Sequence, residues 1–158
     1  MSKGFGALII GDELLVGKRQ DKHLPFIIQA LRRAGALTIS LVAEVDGKVA
    51  GHIAFSPVQI SDGAAGWYGM GPVSVSPELQ KQGIGTALIL KGLSMLKEMD
   101  GQGCALVGDP DYYKRFGFEN DPGLFHEGVP QEYFLVLPFH GKAARGQVEF
   151  HEGFWATS

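Results

Sequence analysis

The chain has 158 residues, of which 45% are hydrophobic and 20% charged, and its formal net charge is −3 at pH 7. This length suits a single domain with a sizeable core, and the composition excludes a disordered chain. The mildly acidic balance, without a run of Lys or Arg, argues against a surface that recruits nucleic acid or acidic lipid. We therefore expect one domain over residues 1–158, with no nucleic-acid or membrane partner.

The cysteine and histidine content indicates the cellular compartment and argues against disulfide and metal chemistry. The single cysteine, Cys104, excludes an internal disulfide and a cysteine metal cluster, which fits a reducing compartment. The five histidines form neither HxH nor HExxH, so we expect no metal. No apolar run reaches the roughly 20 residues of a membrane span. Asp12 and Glu13 interrupt the N-terminal apolar residues too early for a signal peptide. We expect a cytoplasmic protein.

The N-terminal third of the chain predicts strands and one helix. Residues 7–10 and 14–16 are short apolar runs around a Gly-Asp pair, which indicates a hairpin. Apolar residues then recur at helical spacing, which predicts a helix over residues 24–35. Residues 38–44 and 48–58 are rich in β-branched and apolar side chains and flank an Asp-Gly pair, which is a strong signal for a second hairpin.

The middle of the chain predicts a βαβ unit. Residues 67–75 indicate a strand, and residues 84–99 carry a wide apolar stripe that suits a helix packed on a sheet. A glycine-rich turn leads to residues 104–108, a wholly apolar run typical of a strand buried on both faces. Because a helix connects them, these two strands should be parallel.

The C-terminal part predicts a short helix and two further strands. Asp109 is the expected N-cap of that helix, with proline at its first position, and Gly117 ends it. Residues 131–138 and 147–151 are the expected late strands.

The segment before the long helix is suited to bind an anion. The first four N–H groups of a helix lack intrahelical partners, and the helix dipole adds about half a positive charge at that end. Gly83 and Gly85 carry no Cβ, so a phosphate oxygen could approach the backbone, and Lys81 adds a positive charge. Alternatively, the glycines only relieve crowding in a strand-to-helix turn.

Two familiar phosphate motifs do not fit this segment, and a third one does. The Walker string GxxxxGK[ST] is absent, and Leu88 stands where the dinucleotide motif GxGxxG needs its third glycine. Gln80, Gly83 and Gly85 occupy the positions of Q/R-x-x-G-x-G/A, so the segment resembles the signature of the GNAT N-acetyltransferase superfamily.

The resemblance implies a site for acetyl-coenzyme A in two parts. The pantetheine arm would bond to the backbone of the strand before the helix, like an added strand, and the amides at the start of the helix would hold the diphosphate. The strand residues are Val73, Ser74 and Val75, and those around the helix start are Gln80, Lys81, Gln82, Gly83, Ile84, Gly85 and Thr86. Taken alone, the two valines would suit plain core positions.

The resemblance also suggests a catalytic tyrosine. Tyr113 stands four residues before Gly117 and Phe118, as in the Y-x-x-x-G-F ending of many GNAT proteins, where the tyrosine hydroxyl protonates the departing thiolate. A phenol can donate such a proton when it lies close to the sulfur. The alternative is that the Tyr113 side chain packs the helix against the sheet. We favour this interpretation for Tyr112.

No general base and no covalent nucleophile stand out in the sequence. Cys104 lies in an apolar strand, where burial makes a thiol inert. A water relay could replace a dedicated base. The candidate bases, which their spacing does not separate, are Glu44, His52, Asp109, Glu119 and His126.

The similarity covers about residues 37–118 in three blocks, and it is strongest to a bacterial branch called YhbS-like. It implies an α/β GNAT fold, with a mixed, mostly antiparallel twisted sheet flanked by helices. Residues 1–25 are atypical for the family, whose front region commonly lines the acceptor pocket. The implied function is transfer of acetyl from acetyl-coenzyme A to a primary amine, on a small molecule or a peptide, by direct attack in a ternary complex.

Two alternatives remain open at this point. The first is a non-catalytic acyl-coenzyme A sensor on the same fold, and the second is an enzyme of another class that binds a nucleotide at the Gly83 turn. The sequence also leaves open whether the protein is a monomer or a homodimer.

Overall fold

Eight strands form the sheet in the computed structural model, which describes residues 6–9, 38–141 and 144–151. The helix expected over residues 24–35 and the apolar run 14–16 lie outside the described residues. The strands are β1 Gly6–Ile9, β2 Ile39–Val45, β3 Lys48–Ile60, β4 Trp67–Val75, β5 Gly103–Val107, β6 Leu124–Phe125, β7 Phe134–Pro138 and β8 Gly146–Phe150.

The sheet is mixed and mostly antiparallel, as expected. Its main path runs β1-β2-β3-β4-β5-β7, and β8 pairs with the end of β3 and with β6. The β4–β5 pair is parallel, which confirms the predicted βαβ unit. A second parallel pair, β6 with β8, was not predicted because β6 has only two residues. The strand β1 pairs antiparallel with β2.

The turn between β2 and β3 follows the chemistry of its two central residues. Asp46 has φ 52° and Gly47 has φ 75°. Two positive φ angles are the mark of the two-residue hairpin turn whose twist matches that of the flanking strands. The predicted hairpin is therefore confirmed, and β3 continues two residues beyond the predicted end at Val58.

The long helix α1, Ile84–Glu98, packs its apolar face on one side of β2, β3 and β4. Leu88, Leu93 and Leu96 on this face are almost fully buried. Gly92 has no side chain because the ring of Phe55 lies where its Cβ would be. The opposite side of the sheet carries a second core, built around Trp67, Ala105, Phe134, Val148 and Phe150.

After β5, the chain enters a short helix α2, Pro110–Tyr113, which continues as a 3-10 turn over Lys114–Phe116. The Asp109 side chain accepts a hydrogen bond from the Asp111 amide (2.9 Å), so the predicted N-cap is confirmed. The predicted late strand is wrong in its first part: Gln131–Tyr133 is a 3-10 turn, and β7 begins at Phe134. Within the described residues, no helix is long and apolar enough to cross a membrane.

Candidate active site

The strands β4 and β5 separate towards their C-terminal ends. Residues 67–69 of β4 pair with residues 103–105 of β5. Beyond them, residues 73–75 of β4 pair with residues 51–53 of β3 on the other side. In the part of the chain that the structure describes, β4 therefore has an open edge facing β5 after Gly69.

The backbone groups of Val73 and Val75 are directed to this open edge. The Ser76 amide donates to the Ala50 carbonyl of β3 (2.7 Å), so the backbone groups of Ser76 point towards β3. Because backbone groups alternate in direction along a strand, Ser74 also faces β3, and the two valines face the opening. Ser74 is one of the three strand residues expected to bind the pantetheine arm. Its backbone groups are turned towards β3 and away from the opening.

The turn between β4 and α1 is fastened to the end of the strand. The Gln80 side chain donates through Nε2 to the Val75 carbonyl (3.2 Å). Lys81 has φ 62° and Gly83 has φ 87°. Left-handed residues interspersed with residues of negative φ are typical of backbone concavities that bind anions. The lysine conformation costs on the order of 1 kcal/mol, as for other non-glycine residues there, and no pattern in the sequence predicts it.

The amides at the start of α1 are available to a ligand. Gly83 is the N-cap and makes no side-chain cap hydrogen bond. The Ala87 amide donates to the Gly83 carbonyl (3.0 Å). Among the described residues, no backbone carbonyl outside the helix and no side chain accepts a hydrogen bond from the amides of residues 83–86. A Cβ at Gly83 would meet nothing within 4 Å, so the space beside these amides is open.

The two tyrosines of α2 lie on the other side of the opening, after β5. The ring of Tyr113 covers Gly108 and packs edge-on against Phe118, with 6.3 Å between ring centroids. Burial raises the pKa of Tyr113, and the neighbouring Tyr112 raises this pKa further. The Tyr113 phenol therefore stays protonated at neutral pH, as a proton donor must. The Tyr112 hydroxyl lies beside Gly85, 3.3 Å from the position that a Cβ there would take.

The candidate bases are scattered, and three of them make structural contacts. His52 is fully buried, and its Nε2 lies 2.9 Å from the Ser40 hydroxyl. Asp109 caps α2. The Nδ1 of His126 lies 2.8 Å from a carbonyl oxygen of β8. The other two candidates are Glu44, which lies in β2, and Glu119, which forms an isolated bridge to β7.

The geometry offers no support for cysteine or metal chemistry in the described part of the chain. Cys104 is buried, and burial raises the pKa of its thiol far above the usual range. A thiol in such a place does not act as a nucleophile. Within the described ranges, no group of three or more His, Cys, Asp or Glu side chains could hold a metal ion.

Comparison with known sequences supports the resemblance. The family model described as the Acetyltransferase (GNAT) family matches residues 12–118. The chain is 40% identical over 94 residues to the uncharacterized N-acetyltransferase YhbS of Escherichia coli K12, which is 59% of this chain and 56% of YhbS. The match thus spans a little over half the length of this curated relative.

Solved structures match over nearly the whole chain. A GNAT family acetyltransferase from Brucella melitensis, in complex with acetyl-CoA, is 39% identical with a TM-score of 0.79, over 97% of this chain and 99% of its own. YhbS from Escherichia coli, in complex with CoA, is 29% identical with a TM-score of 0.85, over 99% of this chain and 96% of its own. From the family match and these structures, the chain belongs to the GNAT acetyltransferase family.

Proposed function

We propose that this protein transfers the acetyl group of acetyl-coenzyme A to a primary amine on a small molecule or a peptide. The observation that carries the proposal is the row of amides at residues 83–86, which have no hydrogen-bond acceptor outside the helix among the described residues and lie after the strand β4 with its open edge. The complexes of the two similar proteins, with acetyl-CoA and with CoA, support it.

The described residues fit the two polar parts of such a substrate. The amides from residue 82 to residue 86 and the helix dipole would hold the diphosphate, and the exposed Lys81 adds a positive charge close by. The backbone groups of Val73 and the amide of Val75 at the open edge would bond the pantetheine arm, as in strand addition. The role of Gln80 is to hold the turn through the Val75 carbonyl.

Acetyl-coenzyme A would supply an acetyl group already activated as a thioester. The acceptor nitrogen, deprotonated, would form a bond to the carbonyl carbon, while the bond from that carbon to sulfur breaks. Tyr113 would hold a proton on its hydroxyl and donate it to the leaving thiolate. The raised pKa of this phenol keeps that proton in place through neutral pH. The proton that the amine loses would pass to water.

The burial of the one cysteine supports a direct route without an acyl-enzyme. A covalent acyl-enzyme needs an activated nucleophile, and the one cysteine of the sequence is fully buried with a raised pKa. The amine and the thioester would therefore have to be bound together, so we propose a ternary complex.

Thiol release across a broad panel of amines, with acetyl-coenzyme A as donor, tests the reaction. We expect release with at least one small or peptide amine. Competition binding of coenzyme A against ATP and NAD tests the ligand class, and we expect the highest affinity for coenzyme A. Tight binding with no thiol release from any amine would favour a non-catalytic acyl-coenzyme A sensor, and preferential binding of ATP or NAD would favour the nucleotide enzyme.

Replacing Gly83 with glutamate should weaken coenzyme A binding without unfolding the protein. A side chain at Gly83 has open space, but it would sit beside the amides and bring a negative charge to them. We expect at least a tenfold rise in Kd, or about 1.4 kcal/mol. Gly83→Ala is the matched control for the left-handed conformation of φ 87°, which costs the folded state on the order of 1 kcal/mol in either variant. Equal affinity of Gly83→Glu and Gly83→Ala would contradict the assignment of the diphosphate site.

A further inference from the structure

The hydroxyl of Tyr112 reaches from the β5 side of the opening to the start of α1. Its oxygen lies 3.3 Å from the position of a Cβ on Gly85, the second residue of that helix, and Val75 Cγ2 lies 3.7 Å from the same position. The residue stands on α2, which follows β5. The phenol therefore lies between the two parts of the proposed coenzyme site, the helix start and the end of β4.

The ring of Tyr112 is held from several sides. The guanidinium of Arg115 lies over it at 4.6 Å from the ring centroid, and Arg115 Nε donates to the Tyr112 carbonyl (2.9 Å). The rings of Tyr113 and Phe116 pack against it at centroid distances of 4.9 and 5.7 Å. Such packing fixes where the hydroxyl points, which lowers the entropy cost of a hydrogen bond to a ligand.

The hydroxyl itself remains available. Within the described residues, the hydrogen bonds of Tyr112 involve its backbone amide and carbonyl. A phenol hydroxyl is a donor, and this one lies beside Gly85, the second residue of α1. The guanidinium of Arg115, stacked on the ring, adds a positive charge beside the same side chain.

From this arrangement we propose that Tyr112 is a binding residue, whose hydroxyl donates a hydrogen bond to the diphosphate of coenzyme A and adds a side-chain donor to the backbone amides of α1. The inference rests on the proposed function. It also gives a reason for glycine at position 85, since any side chain there would contact the Tyr112 hydroxyl.

Calorimetric titration with coenzyme A tests the proposal, with Tyr112→Phe as the variant. Phenylalanine keeps the ring and its packing and removes only the hydroxyl. We expect Kd to rise about three- to tenfold, the effect of one lost hydrogen bond, with an unchanged melting temperature. Tyr133→Phe, which alters an exposed tyrosine in the turn before β7, is the matched control and should bind as the wild type does.

Phosphorus NMR of the bound coenzyme separates a direct contact from an indirect effect. In Tyr112→Phe, the diphosphate signals should move while the signal of the 3′-phosphate stays in place. An unchanged Kd, or a weaker Kd with unmoved diphosphate signals, would overturn the proposal. Failure of the wild type to bind coenzyme A would overturn the proposed function and this inference together.

A double-mutant comparison checks the geometry independently. In Gly85→Ala, the added methyl would approach the Tyr112 hydroxyl to 3.3 Å and displace it. Its effect on Kd should therefore be smaller when Tyr112 is already phenylalanine, where no hydroxyl is left to displace. Fully additive effects of the two changes would contradict the proposed contact.

Discussion

At the scale of single residues, two adjacent tyrosines have different surroundings. Tyr113 covers Gly108 and packs against Phe118, so its phenol is desolvated, whereas the Tyr112 hydroxyl lies beside the start of α1. The proposed roles of the two residues differ accordingly: Tyr113 would hold the proton for the leaving group, and Tyr112 would contact the diphosphate.

Replacing Tyr113 with phenylalanine should slow acetyl transfer and leave coenzyme A binding intact. Loss of a general acid typically costs about 100-fold or more in rate, while the ring and its packing remain. Turnover with the best amine of the panel measures the loss, and calorimetry measures the binding. If Tyr113→Phe turns over as fast as the wild type, Tyr113 is not the general acid.

The pH dependence of the rate should reflect first the deprotonation of the acceptor amine and then, at higher pH, the deprotonation of Tyr113. The rate should rise with pH as the bound amine loses its proton. Because burial raises the pKa of Tyr113 from its ordinary value of 10.0, the phenol stays protonated until the pH is higher still. The alkaline fall in rate should therefore come at a higher pH than it would for an ordinary phenol. A flat profile from mildly acidic to alkaline pH, with chemistry limiting, would contradict this.

The sequence could predict some of these residues and not others. Gln80, Gly83 and Gly85 are visible because their spacing matches a signature, and the helix after them is strongly periodic. The left-handed conformation of Lys81 could not be predicted, since lysine has no preference for it. The approach of Tyr112 to Gly85 joins residues 27 positions apart in the sequence, so it depends on the packing of α2 against α1.

At the scale of elements, α1 is fixed on the sheet by a close contact at its centre. A Cβ at Gly92 would overlap the ring of Phe55. This contact brings the helix near β3, and the same helix presents its first amides beside the end of β4. The orientation of the proposed diphosphate site therefore depends on a glycine to which no binding role is assigned.

Gly92→Ala should destabilise the protein, although alanine favours helices by about 1 kcal/mol over glycine. Overpacking of a core typically costs about 1–3 kcal/mol, and here the ring of Phe55 is itself fully buried and would have to move. Urea unfolding should show a net loss of about 1 kcal/mol. Adding Phe55→Leu should make the glycine replacement less costly than it is alone. A more stable Gly92→Ala protein would contradict the packing described for α1.

The elements were predictable where the local signal was strong. The Asp-Gly turn and the periodic helix needed no tertiary information, and both are confirmed. β6 is too short to leave a pattern, and its pairing with β8 depends on contacts made elsewhere in the chain. Residues 131–133 were mistaken for strand, because the turn there is set by a bond from the Tyr133 amide to the Pro130 carbonyl.

At the scale of the whole molecule, one carboxylate ties distant parts of the chain together. Asp62, just after β3, accepts hydrogen bonds from the Arg145 amide and from the Ala64 amide, each 2.8 Å long. The Arg145 amide is the larger cause that lowers the pKa of Asp62, followed by that of Ala64. The second sheet contact, between the end of β3 and β8, is thereby fastened at the same corner.

The contribution of Asp62 to stability should depend on pH. Because the folded pKa lies below the ordinary value of 3.8, the carboxylate stabilises the fold above that value, and the effect is lost as the pH falls through the folded pKa. Asp62→Asn should lower the melting temperature at neutral pH and much less in strong acid. The control is Glu149→Gln, an exposed carboxylate on β8. An equal loss at both pH values would contradict the role of the charge.

The proposed site depends above all on one interaction, in which the amides at the start of α1 bind the diphosphate of coenzyme A. A crystal structure of the complex would show whether this interaction forms. We expect diphosphate oxygens within about 3.2 Å of amide nitrogens among residues 82–86, with the pantetheine arm along Val73 and Val75. A coenzyme bound elsewhere, or these amides bonded to side chains of the protein itself, would contradict the proposed diphosphate site.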